Sequence, residues 1–156
     1  MIGAILGDIV GSIYEFDNIK TKEFELFDKE CFFTDDSVMT LAVGDALMDA
    51  GPKANADKIK KYAIKYMQKY GKKYPDAGYG GKFSQWLKDK HCTPYNSFGN
   101  GSAMRVSAAG WLYDSLEKTR EVAAATAAVS HNHPEGIKGA EAVASVIYLA
   151  RTGKNK

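Results

Sequence analysis

The sequence predicts an all-α, multi-helix fold, and three observations carry that prediction. Apolar residues recur at helical spacing in one segment after another, almost nothing alternates with the period of two that a half-buried strand needs, and the last third is rich in Ala and other helix formers. At 156 residues, 45% hydrophobic and 26% charged, the chain reads as one packed domain over residues 1–156, without internal repeat or linker.

In residues 2–15, Ile2, Ile5, Ile9, Val10 and Ile13 mark a buried helix ending near Glu15. Residues 16–33 break that period and mix charge with Phe16, Phe24, Phe27, Phe32 and Phe33, as expected of an ordered loop packed on the core. The next helix is expected to start at Asp35 or Asp36 as N-cap and to carry Val38, Leu41, Ala42 and Leu47 until Gly51-Pro52 stops it. A third helix over residues 55–70 uses Asn55 as cap and Ile59, Tyr62, Ala63, Tyr66, Met67 and Tyr70 as its apolar stripe. Gly71, Pro75 and Gly78 mark turns, a short helix over 81–89 presents Phe83, Trp86 and Leu87, and residues 93–101 form a polar loop. Helices over 102–113, 116–129 and 134–151 complete the chain.

Charge is uneven: residues 51–90 hold eleven lysines against three aspartates, and residues 1–50 hold three lysines against eleven acids. Lys58, Lys61, Lys65, Lys69 and Lys72 recur at helical spacing opposite an apolar stripe, which reads as a solvated helix face rather than a nucleic-acid surface. No apolar run reaches the ~20 residues of a membrane span, and no export signal is readable. Cys31 and Cys92 are too few for a disulfide framework or a Cys-based zinc site, so the expectation is two reduced thiols in a cytoplasmic protein.

Four segments have residue types that support chemistry. In the first, Gly3, Gly7 and Gly11 share one helix face, which would let another helix approach closely, and Asp8 and Glu15 sit two turns apart on a second face. Acids in an apolar helix need a partner or a role. The second, Phe33-Thr34-Asp35-Asp36-Ser37, either caps a helix or converges a hydroxyl and two carboxylates on a hard divalent cation such as Mg²⁺, Mn²⁺ or Ca²⁺. Two adjacent acids supply too few ligands alone, so further oxygens must come from elsewhere. The third runs from Asn96 through Ser97, Phe98, Gly99, Asn100, Gly101 and Ser102 to Arg105; glycine-rich chain entering a helix exposes N–H groups suited to phosphate, or is an ordinary loop capped by Ser102. It is not a dinucleotide fingerprint, because Met104 holds the third glycine position. The fourth, Ser130-His131-Asn132-His133-Pro134-Glu135, lacks the helical spacing of a zinc site and reads better as a loop histidine donating to a ligand.

Taken in order, these segments resemble the ADP-ribosylglycohydrolase family. The matching residues are Gly3-Ala4, Gly7-Asp8, Gly11-Ser12 and Glu15; Thr34-Asp35-Asp36-Ser37 with Met39; the run from Gly99 to Arg105; and Ser130-His131 with His133-Pro134-Glu135. The resemblance implies an all-α domain with a binuclear Mg²⁺ or Mn²⁺ site at the bottom of an ADP-ribose cleft. By that similarity Thr34, Asp35 and Asp36 match metal ligands, with Asp35 and Asp36 also serving catalysis, and Glu15 matches an acidic residue that assists it. Ser97, Phe98, Gly99, Asn100, Gly101 and Ser102 match a segment wrapping the phosphates and distal ribose, and His131 matches a ligand contact. The implied reaction is metal-dependent hydrolysis of the bond joining ADP-ribose to a protein side chain or small acceptor. Members are typically longer, and a late Asp-x-Asp-Thr/Ser segment supplies the remaining metal ligands; after Asp114 this sequence has no aspartate. The expectation is therefore a domain lacking the family's C-terminal part, with three alternatives: an enzyme, a non-catalytic ADP-ribose-binding module, or a degenerate structural homologue. A homodimer is a further expectation, because a missing half leaves apolar helix surface exposed.

Overall fold

The computed structural model describes residues 1–154 and contains eight α-helices and no strand among them. They are α1 (Ile2–Gly11), extended by a 3₁₀ turn (Ser12–Tyr14), α2 (Asp35–Ala50), α3 (Ala56–Lys73), α4 (Gly81–Lys88), α5 (Gly101–Met104), α6 (Ser107–Leu112), α7 (Leu116–Ala128) and α8 (Pro134–Arg151). No helix among the described residues is long and apolar enough to cross a membrane.

Helix α2 is the central element, burying Val38, Met39, Ala42, Val43, Ala46 and Leu47 around its circumference. Helix α3 lies along it, placing Ile59, Ala63 and Met67 inward and its lysines outward. Lys58, Lys65 and Lys69 rest over the rings of Tyr62 and Tyr66, so the basic stripe is a solvated face with aromatic support. Two polar ties cross the same interface: the Tyr66 hydroxyl donates to Asp49, and the Tyr70 hydroxyl donates to Asp45 at 2.7 Å. Helices α6, α7 and α8 form the other layer, with α7 also packed on α3. There, Gly110 is required by proximity: a Cβ would stand 2.6 Å from the Ile147 Cβ and 2.8 Å from the Ala144 carbonyl.

Half of the helices start where polar side chains accept the first free amides. Thr34 accepts from Asp36, Asn55 from Lys58, Ser115 from Lys118, and His133 from Glu135, with Pro134 at the first position of α8. The cap of α2 is thus Thr34, one residue before the expected Asp35 or Asp36, because those carboxylates lie in the first turn and face the cleft.

Three expectations are corrected. Helix α1 is not buried: none of its residues is fully enclosed, and an added Cβ at Gly3, Gly7 or Gly11 would meet nothing within 4 Å. The glycine face has no helix against it among the described residues. Residues 16–33 reach the core only at their end, where the Phe33 ring meets Tyr74 edge to face, while Phe16, Phe27 and Phe32 stay largely exposed. The single helix expected over 102–113 divides at Arg105 and Val106, where the Met104 carbonyl accepts from the Thr40 hydroxyl at 3.3 Å.

Candidate functional site

The start of α2 is organised by a residue of α1. The Asp8 carboxylate accepts from the Thr34 amide at 2.8 Å, the Thr34 hydroxyl at 2.5 Å and the Ser37 amide at 3.1 Å. This acid in an apolar helix is accounted for by pairing: it closes the N-terminus of α2. The arrangement leaves Asp35 and Asp36 free, and with Glu15 they form the acidic end of a cleft of about 430 Å³.

Charge is concentrated there. Burial pushes the Asp35 carboxyl up to about 7, with Asp36, Glu15 and Asp8 adding repulsion. Burial followed by Asp8 and Glu15 also raises Asp36. Half-buried carboxylates that repel one another are hard oxygen donors, which suits Mg²⁺ or Mn²⁺, although the Arg105 charge also acts on Asp35. The Thr34 hydroxyl already donates to Asp8 and accepts the Asp36 amide, leaving one lone pair for a cation. Among the described residues no group of three or more His, Cys, Asp or Glu side chains stands close enough to hold a metal.

The opposite end is the polar loop before α5. Ser97, Gly99, Asn100, Gly101 and His131 line it. The loop is anchored to the segment before α8: the Tyr95 amide donates to the Ser130 carbonyl at 3.3 Å and the Asn96 amide to Asn132 Oδ1 at 2.7 Å. Asn96 has φ of 54°, a left-handed conformation that Asn tolerates, and this turns the chain toward the cleft. Gly136 makes the junction tight, because a Cβ there would stand 2.7 Å from the Ser97 carbonyl.

Not every candidate lines the cleft. Ser102 is buried beneath the loop and donates to the Gly136 carbonyl at 2.7 Å, while the N-cap of α5 is Asn100. Phe98 points away, 74% exposed, with its ring edge on His133. Thr34 lies behind the acids and is buried. Conversely, Phe83, Tyr95, Met104 and Arg105 also line the cleft; Met104 and Arg105 fall within the third motif, but no ligand contact is expected of any of the four from sequence. Arg105 is fully enclosed, with its guanidinium 5.2 Å from the Phe83 ring centre. A basic residue closing an apolar helix start was the available signal. Its partners, more than twenty residues away, were not visible in any local pattern.

An acid trio thus faces a glycine loop across one helical cleft. The model of the ADP-ribosylglycohydrolase family matches residues 1–156, and the chain belongs to that family. It is similar to the ADP-ribosylhydrolase ARH3 of Mus musculus, 28% identical over 183 residues that cover 98% of this chain and 48% of the relative. The ARH3 proteins of Bos taurus and Homo sapiens are 28% and 27% identical, over 99% of this chain and 49% and 50% of their own lengths. The chain therefore spans about half the length of these curated relatives.

Proposed function

We propose that the cleft hydrolyses the glycosidic bond between ADP-ribose and a protein side chain or small acceptor, with Mg²⁺ or Mn²⁺ as cofactor. The observation that carries this reading is the opposition of the two ends: mutually repelling carboxylates at one and a glycine-rich loop with His131 at the other. The loop would hold the diphosphate and distal ribose through backbone N–H groups and place the anomeric carbon near Glu15, Asp35 and Asp36. Thr34, Asp35 and Asp36 would hold the cation, which supplies Lewis-acid activation of water and orients the ribose hydroxyls. Glu15, exposed at the rim, would take a proton from the attacking water or stabilise the developing oxocarbenium ion.

A calorimetric titration of ADP-ribose with millimolar Mg²⁺ and then with chelator tests the reading, together with release of ADP-ribose from a modified protein. Metal-dependent binding is expected, and Asp35→Asn should lower release by about a hundredfold or more. A fully active Asp35→Asn protein would overturn the proposal. The lack of a three-ligand group of His, Cys, Asp or Glu side chains among the described residues favours a second reading, a module that binds ADP-ribose without turnover. Its mark is affinity that survives chelation; no binding under either condition would leave a structural homologue.

Two further parts belong to the same proposal. A cytoplasmic setting fits the two free thiols, Cys31 and Cys92. A homodimer fits the open face of α1, where Ile2 and Leu6 are exposed beside the glycines. Light scattering at tens of micromolar should then give twice the chain mass, and a monomeric mass would remove the dimer.

A further inference from the structure

His131 enters the cleft from a chain of buried hydrogen bonds that begins behind it. Arg105 Nη2 donates to the Ser130 hydroxyl at 2.8 Å, and that oxygen lies 2.8 Å from His131 Nδ1. All three side chains are enclosed: Arg105 is 1% exposed, Ser130 0% and His131 4%. The direction of the chain follows from its first member. Arginine has donors and no acceptor, so the Ser130 oxygen must accept from it. Serine then has one hydrogen, and directing it at Nδ1 gives both that hydrogen and the Nδ1 lone pair a partner, while Arg105 Nε and Nη1 have none. The opposite tautomer would aim an Nδ1–H at Ser130, which would then receive two donors while its own buried hydrogen lost that acceptor.

We propose that Arg105 and Ser130 are positioning residues that fix His131 as the Nε2–H tautomer, so that the cleft presents a neutral N–H donor to an oxygen atom of its ligand. The ring is placed for this. Its Nε2 and Cε1 edge lies over the glycine loop, where a Cβ on Gly101 would stand 3.0 and 3.1 Å from those atoms. The Tyr95 ring packs beside it with centroids 5.8 Å apart, and the backbone amide of His131 is held by the Ala127 carbonyl at 2.8 Å. Arg105 itself is held from two other sides, by the Phe83 ring and by the Thr126 carbonyl, which accepts from Nη2 at 3.3 Å. A fixed donor selects ligand chemistry: an ether, hydroxyl or phosphate oxygen is accepted there, and an ammonium or amide N–H is refused. The identity of that ligand as ADP-ribose rests on the function proposed above; the tautomer does not.

Long-range ¹H–¹⁵N correlation spectra of the uniformly labelled protein at pH 7 read the tautomer directly in the free state. The expected spectrum has a pyrrole-type His131 Nε2 and a pyridine-type Nδ1. Ser130→Ala and Arg105→Met should each turn this into a mixture, and Ser130→Ala should weaken ADP-ribose binding about tenfold, the equivalent of one hydrogen bond. A pyrrole-type Nδ1 in the wild-type protein overturns the inference, as does a Ser130→Ala spectrum identical to wild type. Should Arg105→Met fail to fold, the wild-type and Ser130→Ala spectra still decide. Absence of ADP-ribose binding by the wild-type chain would remove the functional proposal and leave the tautomer to be judged from the spectra.

Discussion

Asp35 sets a pH dependence whose sign can be worked out. Its carboxyl is raised from 3.8 to about 7 by burial first and then by neighbouring acids, so the folded chain holds this proton more tightly than the unfolded chain does. Stability attributable to this group therefore falls as pH rises from about 4 to about 7 and is flat above. Asp35→Asn removes the effect: in chelator the variant should match wild type at pH 4 and exceed it at pH 8 by about 1–2 kcal/mol, allowing for solvent screening of a half-buried group. Thermal melts at the two pH values check this, and equal melting temperatures at pH 8 would contradict the repulsion described. Under the proposed cation site, saturating Mn²⁺ should reverse the order at pH 8, because the wild type offers it one more carboxylate than the variant does. His131 runs the other way: burial and then Arg105 hold it down to about 4, so its contribution is complete above about 6.5 and is lost as pH falls toward 4. At this scale the sequence singles out Glu15 as an acid in an apolar helix and Asp35-Asp36 as adjacent acids at a helix start, and the structure gathers all three at one end of the cleft. Asp8 was singled out for the same reason, but its answer, three donors from 26 to 29 residues away, depended on folding.

Helices were legible wherever local chemistry and packing agree. Asn55, Ser115 and His133-Pro134 all mark helix starts, and the apolar stripe of α3 faces α2 as its spacing requires. The predictions failed where a tertiary partner overrode a good local pattern. Residues 102–113 contain Ala, Met, Arg and Leu at helix-forming positions, yet the chain breaks at Arg105 and Val106, where Arg105 enters the interior and the Met104 carbonyl meets Thr40. The polar loop was visible as polar, but its curvature comes from Asn96, Asn132 and the Gly136 contact, which lie on separate elements. A helix periodicity reports that one face is apolar, and it says nothing about whether a partner is present. Helix α1 has that periodicity and an open face.

At the scale of the whole molecule, two layers enclose a core of small residues. Ala108, Ala109, Ala123, Ala127, Ala140 and Ala144 are fully buried, which lets α6, α7 and α8 stand close together. The all-helical class followed from composition and period, and the cleft lies where α2, the polar loop and the segment before α8 meet. The family's motifs located that meeting point, whereas composition alone left it hidden. Half the relatives' length is matched, and the face of α1 is uncovered.

The Asp8 carboxylate gives that uncovered helix a reach beyond its own turns. Amides of Thr34 and Ser37 are bonded to Asp8 of α1, not to carbonyls of α2. Their exchange with deuterium should therefore follow the fraying of α1, while amides deeper in α2, such as those of Val43 and Leu47, exchange only with global opening. Comparable protection at all four positions would show that α1 does not open separately. If it does open, whatever comes to cover the exposed helix will slow exchange at the start of α2. A surface event would then register, as a measurable loss of local motion, at the two residues beside the carboxylates.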